Sequence, residues 1–226
     1  MRALLDLILP TECGGCGAPG LVWCGRCAAG AFGQPRLCNP RSDPGVPVWA
    51  LGRYRGAARE LIVNLKERGR SDLAAVAGAV VACGIETLRQ EGELDPALLA
   101  RLILVPAPSR WLAARRRGGD PVASIADRAI RALPDEAGSV VKALRFTRGV
   151  KDSVGLTASQ RHLNVAGRVR VRQLAVPHMV PSGGISAPAV LLVDDVVTTG
   201  SLLTESVRIL RRAGVRVSGA LTLASA

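Results

Sequence analysis

Residues 190–203 read VLLVDDVVTTGSLL, and the fold follows from this stretch. Val190–Val193 is a short apolar run of the kind that forms a buried parallel strand. Two adjacent carboxylates, Asp194 and Asp195, follow at its expected C-terminal end. A turn of small hydroxyl residues and glycine comes next, Thr198-Thr199-Gly200-Ser201. Leu203, Val207 and Leu210 then mark one face of an amphipathic helix. A helix N-terminus with free loop amides favours an anion, and Gly200 lets the backbone approach it closely. The two acids, just upstream, can hold sugar hydroxyls or a hydrated Mg²⁺. The stretch therefore asks for a ligand with a phosphate at one end and a diol nearby. Its plain alternative is a helix-capping turn with solvated acids, which explains neither the doubled Asp nor the doubled Thr.

Working outward, the pattern alternates strands and helices. Val48–Tyr54, Leu102–Val105, Val140–Phe146, Arg168–Arg172 and Val215–Ala224 are expected strands. Ala57–Arg68, Leu73–Gln90 and Pro121–Leu133 have helical spacing, the last with proline in its first turn. Such alternation predicts an α/β domain with a mostly parallel sheet flanked by helices, and a ligand at the strands' C-terminal ends. Asn39–Pro47, NPRSDPGVP, reads as a linker. It divides a small N-terminal cysteine module, 1–47, from the main domain, 48–226. Residues 102–110, LILVPAPSR, bring backbone amides, Ser109 and Arg110 to the sheet edge that carries Asp194. They also fit a plain turn stiffened by two prolines. Arg115, Arg116 and Arg117 beside Gly118-Gly119 suit either a pyrophosphate clamp or a solvated charge run. The polar stretch 152–164 is long enough for a lid, which with Lys151 and Arg161 would cover a leaving group. His162 and His178 are expected at the surface.

Cys13, Cys16, Cys24 and Cys27 form C-x2-C-x7-C-x2-C. Two such knuckles let four thiolates converge on one Zn²⁺, and a module this small gains much of its stability from the metal. Cys38 is a spare that could replace one ligand, and Cys83 is expected to be a core thiol. The N-terminal MRALLDLILP is too short and too interrupted for a secretory segment, and no membrane span is expected. A cytoplasmic location follows as an expectation, with thiols kept reduced and available to metal.

The chain's net charge is +12, and of its 30 basic residues only Lys66, Lys142 and Lys151 are lysines. The excess suits anionic partners, nucleic acid or phosphorylated metabolites among them. Aromatic residues make up 3%, too few for a base-stacking platform. No GxxxxGK or GxGxxG occurs, so nucleoside triphosphate hydrolysis and a dinucleotide fold have no support.

The VLLVDDVVTTG segment resembles the phosphoribosyl pyrophosphate motif of type I phosphoribosyltransferases. Nearly the whole chain is similar to the ComF family of competence-associated and GntX-like proteins. That likeness rests on the paired CxxC knuckles, Tyr54-Arg55-Gly56 with Leu61-Ile62 and Lys66, the LVPAPSR turn, Arg117-Gly118, Val154-Gly155-Leu156 with Arg161 and Asn164, and the motif itself. The resemblance implies that Asp194 and Asp195 contact the ribose hydroxyls. Val197, Thr198, Thr199, Gly200 and Ser201 would wrap the 5′-phosphate, and Ala107, Ser109 and Arg110 would hold pyrophosphate. Lys151 and Arg161 would act from the lid. The implied cofactors are structural Zn²⁺ and Mg²⁺ bound with phosphoribosyl pyrophosphate. Departures from the family are Leu202 where a threonine is common, Gly119-Asp120-Pro121 where Phe-Asn-Gln is common, Ser153 where Gln often stands, and the loss of a second cysteine set save Cys38. Two functions from different classes follow. One is an enzyme moving phosphoribose to a nitrogen acceptor. The other is a non-catalytic sensor or scaffold that keeps the pocket and engages single- or double-stranded DNA or competence proteins.

Overall fold

The computed structural model describes residues 11–109, 119–134, 138–147, 165–181 and 187–226. In chain order these form α1 (Gly25–Ala31), β1 (Arg36–Leu37), β2 (Val48–Ala50), α2 (Gly56–Lys66), α3 (Leu73–Gln90), β3 (Leu102–Pro106), α4 (Pro121–Ala132), β4 (Ser139–Val140), β5 (Leu144–Phe146), β6 (Val169–Val171), a 3₁₀ turn (Gln173–His178), β7 (Ala189–Val197), α5 (Ser201–Arg212) and β8 (Val217–Ser225). The main sheet has the order β1-β2-β8-β7-β3-β4, and β5 and β6 make a separate antiparallel pair. Only the β1–β2 pairing in the main sheet is antiparallel. The architecture is thus α/β, with a mostly parallel six-stranded sheet flanked by helices and a four-cysteine cluster ahead of it.

Strand β7 reads as an unbroken apolar run because both of its faces are covered. Leu191 and Val193 enter one core, with Leu61, Val81, Ile85 and Ile125 from α2, α3 and α4. Val190 and Leu192 enter the other, with Leu203, Val207 and Leu210 from α5. The neighbouring strand divides in the same way, Leu102 and Leu104 to the first core and Ile103 and Val105 to the second. Helices α3 and α4 pack closely because Gly78 has no side chain: a Cβ there would lie 2.4 Å from the Cβ of Arg128 and 2.9 Å from the Ala129 nitrogen. By length and composition α3 could cross a membrane, yet Leu73, Ala77, Val81, Ile85 and Leu88 are buried in the core.

Several expectations need correction. The motif strand does not stop before the acids but continues through them to Val197. Pairing with β8 sustains it there, Asp194 opposite Thr222 and Val197 opposite Ser225, while β3 accompanies it only as far as Val193. Val140–Phe146 is not one strand. Its first part extends the main sheet beside β3, and its second pairs with β6. Cys83 is exposed rather than buried, because the buried stripe of α3 runs through residues 81, 82, 84, 85 and 88. Asn39–Pro47 is no free linker: it is fastened to α5 and the loop before it, as described below.

The chain direction around the sheet locates a ligand crevice. From β3 the chain crosses through α4 to β4 on one side, and from β7 it crosses through α5 to β8 on the other. The two helices cover opposite faces. The C-terminal ends of β3 and β7 therefore flank a topological switch point, where open α/β sheets hold their ligands.

Candidate functional site

The end of β7 carries the site's charge. Asp194 and Asp195 are 8% and 4% exposed. The Asp195 N–H donates to Asp194 Oδ1 at 2.9 Å. Burial raises the Asp194 carboxyl to about 7, and the adjacent Asp195 carboxylate raises it further, against the opposing pull of Lys66. Lys66, in the last turn of α2, places Nζ 2.6 Å from Asp195 Oδ2. This contact is close but poorly directed, and Oδ2 has no well-formed hydrogen bond. For Lys66, burial lowers the ammonium's proton affinity, but the two carboxylates outweigh it and the net shift is upward. A crowded acid pair with an unpartnered buried oxygen is suited to a ligand's hydroxyl donors or a cation.

Beyond the acids, Val197 is buried, Thr198 is exposed and Thr199 half-buried. Gly200 has φ +80°, a conformation that favours glycine, and turns the chain into α5. Thr199 Oγ1 and Ser201 Oγ lie 3.0 Å apart. At the end of β3, the Ala107 N–H donates to the Val193 carbonyl at 2.8 Å, so it is spent on the sheet. Pro106 and Pro108 have no N–H, which leaves Ser109 as the remaining amide of 106–109. The Ser109 hydroxyl donates to Asp120 Oδ2 at 2.7 Å. Asp120 also caps α4, its Oδ1 accepting from the Val122 and Ala123 N–H groups. The departure at Gly119-Asp120-Pro121 is therefore a helix start: a capping Asp followed by proline at the first helical position.

The structure brings Asp194, Asp195, Thr198, Thr199, Gly200 and Ser201 onto one edge, with Ala107 and Ser109 on the adjoining strand's end. Lys151, Arg161, Arg110, Arg115, Arg116, Arg117 and His162 lie outside the described residues, as does the 152–164 stretch. His178 is exposed, as expected. Lys66 entered the sequence reading only through family likeness, with no role attached. A signal was present, since it is one of three lysines in an arginine-dominated chain and ends an amphipathic helix. Ser42 was missed altogether, because its partners are about 160 residues away in sequence.

The second constellation is the cysteine cluster. Ligand atoms of Cys13, Cys16, Cys24 and Cys27 all lie within 4.8 Å of one another. A tetrahedral Zn²⁺ with bonds of about 2.3 Å would set its sulfurs about 3.8 Å apart, so the spacing fits. Burial raises the Cys13 thiol, but N–H groups of Cys16, Cys24 and Gly15 outweigh it and bring it down to about 6. The Ala18 N–H and the Arg26 side chain lower Cys16. Cys27 is pushed up by burial and by the other thiols around it. Four thiolates so close need a cation to ionise together, and the cluster could hold a structural Zn²⁺. Cys38 is not among the four, and its Sγ donates to the Arg36 carbonyl instead. The cluster is braced on the main domain: Asn64 of α2 donates to the Gly14 carbonyl at 2.9 Å, and Arg70 to that of Glu12 at 3.0 Å.

No protein-family model matches the chain, and no curated protein matches it.

Proposed function

We propose that the protein binds phosphoribosyl pyrophosphate with Mg²⁺ and acts as a ComF-type phosphoribosyltransferase. The observation that carries this reading is the buried Asp194–Asp195 pair, with its unpartnered Oδ2, three residues ahead of a left-handed glycine that opens a helix. The acids would accept hydrogen bonds from the ribose 2′ and 3′ hydroxyls. The Thr198–Ser201 loop and the first amides of α5 would hold the 5′-phosphate. A nitrogen lone pair on the acceptor attacks C1 as the C1–O bond breaks, pyrophosphate leaves with the bonding electrons, and C1 inverts. The acceptor nitrogen then gives up its proton. Mg²⁺ would neutralise charge on the leaving pyrophosphate. Lys66 keeps one acid paired, so the diol end of the pocket does not carry two uncompensated charges.

A second reading is a non-catalytic sensor or scaffold that engages DNA or competence partners. It is favoured by one feature: the Ser109 hydroxyl and the Ala107 amide, the implied pyrophosphate groups, are already bonded within the protein. Calorimetric titration with phosphoribosyl pyrophosphate and Mg²⁺, repeated with candidate bases, tests both. Asp194→Asn with Asp195→Asn should weaken binding by well over tenfold, since each lost charged hydrogen bond is worth roughly 1.5–3 kcal/mol. Equal binding by parent and double variant would remove the motif as the site. Binding without turnover for any base favours the sensor.

A further inference from the structure

The segment after the cysteine module crosses the phosphate-sized loop as a strap. The Ser42 N–H donates to the Thr199 carbonyl at 2.8 Å. The Ser42 carbonyl accepts from Thr204 Oγ1 at 3.0 Å. Farther along, Arg211 of α5 donates to the Gly45 carbonyl at 2.7 Å. Gly200 is pressed beneath the strap: a Cβ there would meet the Ser42 carbonyl at 2.5 Å and the Pro40 Cβ at 2.7 Å. The Ser42 hydroxyl lies 3.3 Å from Ser201 Oγ, which lies 3.0 Å from Thr199 Oγ1. Three hydroxyls from two distant parts of the chain thus converge at the start of α5.

We propose that Ser42 is a phosphate-binding residue, supplied by the N-terminal segment to complete the Thr199–Ser201 cradle. The inference rests on the functional reading above and adds to it a residue outside the motif. Two further observations point to a ligand here. The unpartnered Oδ2 of Asp195 is buried at the same strand end. In addition, position 202, where a further hydroxyl would extend the cradle along the helix, is leucine, so the loop's own hydroxyl set ends at Ser201. Hydroxyl rotors are free to turn from one another to an incoming oxyanion, so the three mutual contacts can be exchanged for contacts to phosphate. The backbone bonds of Ser42 hold its hydroxyl there without an ordering cost on binding.

The test titrates the full chain with ribose 5-phosphate, with inorganic phosphate, and with phosphoribosyl pyrophosphate plus Mg²⁺. Ser42→Ala should weaken all three by roughly tenfold, the loss of one hydrogen bond to an anion, with the melting temperature unchanged. Ser42→Thr, which keeps the hydroxyl, should restore affinity to within about twofold of the parent. Thr204→Val removes a strap contact but leaves Ser42 Oγ in place, and should change affinity far less than Ser42→Ala. If Ser42→Ala binds as well as the parent while Asp194→Asn with Asp195→Asn does not, this proposal falls and the functional reading survives. Inorganic phosphate binding that depends on Ser42, without binding of either ribose compound, keeps the cradle and overturns the phosphoribosyl reading. Tighter binding by Ser42→Ala would mean that the strap excludes ligand, and overturns the proposal. So would equal losses of affinity and melting temperature in Ser42→Ala and Thr204→Val, which would mark a purely structural role. A parent that binds none of the three overturns both.

Discussion

Asp194 shows how the site trades stability for chemistry. Its carboxyl is raised to about 7 by burial first and by Asp195 second. In the unfolded chain it ionises near 4. Between those values the folded protein holds a proton that the unfolded chain has released, so stability falls as pH rises through that window. Below about pH 4 both states are protonated and the group contributes nothing, and above about 7 the penalty is complete. Asp194→Asn should therefore raise the melting temperature at pH 8 and change it little at pH 4. Roughly 1–3 kcal/mol is expected at the higher pH. Paired melts of parent and variant across this range check the sign, and a gain that is largest at pH 4 would refute the assignment. The same substitution should weaken a diol ligand, so one residue is expected to gain stability and lose binding together.

Among the elements, two close approaches govern geometry. Gly78 is where α3 meets α4, with the Arg128 backbone carbon 2.8 Å from any added Cβ. Gly78→Val must push the helices apart, and overpacking of this kind costs about 1–3 kcal/mol. Denaturant midpoints should fall with an unchanged slope, and a midpoint equal to the parent's would show that the crossing is loose. Gly200 is strained for any other residue by its φ of +80° and is blocked by the Ser42 carbonyl. Gly200→Ala should cost about 1–3 kcal/mol and lift the strap off α5. Faster amide hydrogen exchange at Ser42, whose N–H bonds to the Thr199 carbonyl, is the measurement. Exchange at the parent's rate would show that the strap does not depend on this approach.

Across the whole molecule, the cysteine cluster reaches the ligand crevice by two routes. Helix α2 holds the Gly14 carbonyl through Asn64 and, two residues on, Asp195 through Lys66. The strap runs from β1, which is paired with β2, across the loop before α5. Removing the metal should therefore be felt at the site without unfolding the sheet, whose buried strands have their own core. Cys24→Ser should release zinc, measured by elemental analysis under reducing conditions. It should speed exchange in residues 11–45 and leave β3, β7 and β8 protected. A parent purified without zinc would count against the metal, and a global loss of protection would count against the separation of the two parts.

What the chain determines locally was readable without coordinates. The buried strand at Val190–Val193, the helix face of Leu203, Val207 and Leu210, and the paired CxxC knuckles each depend on spacing within a few residues, and spacing is a property of sequence. The placement of α3 over Leu73–Gln90 was legible for the same reason. Tertiary structure alone decided the rest. Strand β7 runs on through its acids because β8 lies alongside to pair with them, and no local pattern announces a partner strand. Val140–Phe146 divides because its two ends meet different sheets. Lys66 and Ser42 reach the site through contacts about 130 and 160 residues distant in sequence. Side-chain periodicity reports which face of an element is buried, but the partner across a crevice is set by how the elements pack, and that information is carried by the whole chain at once.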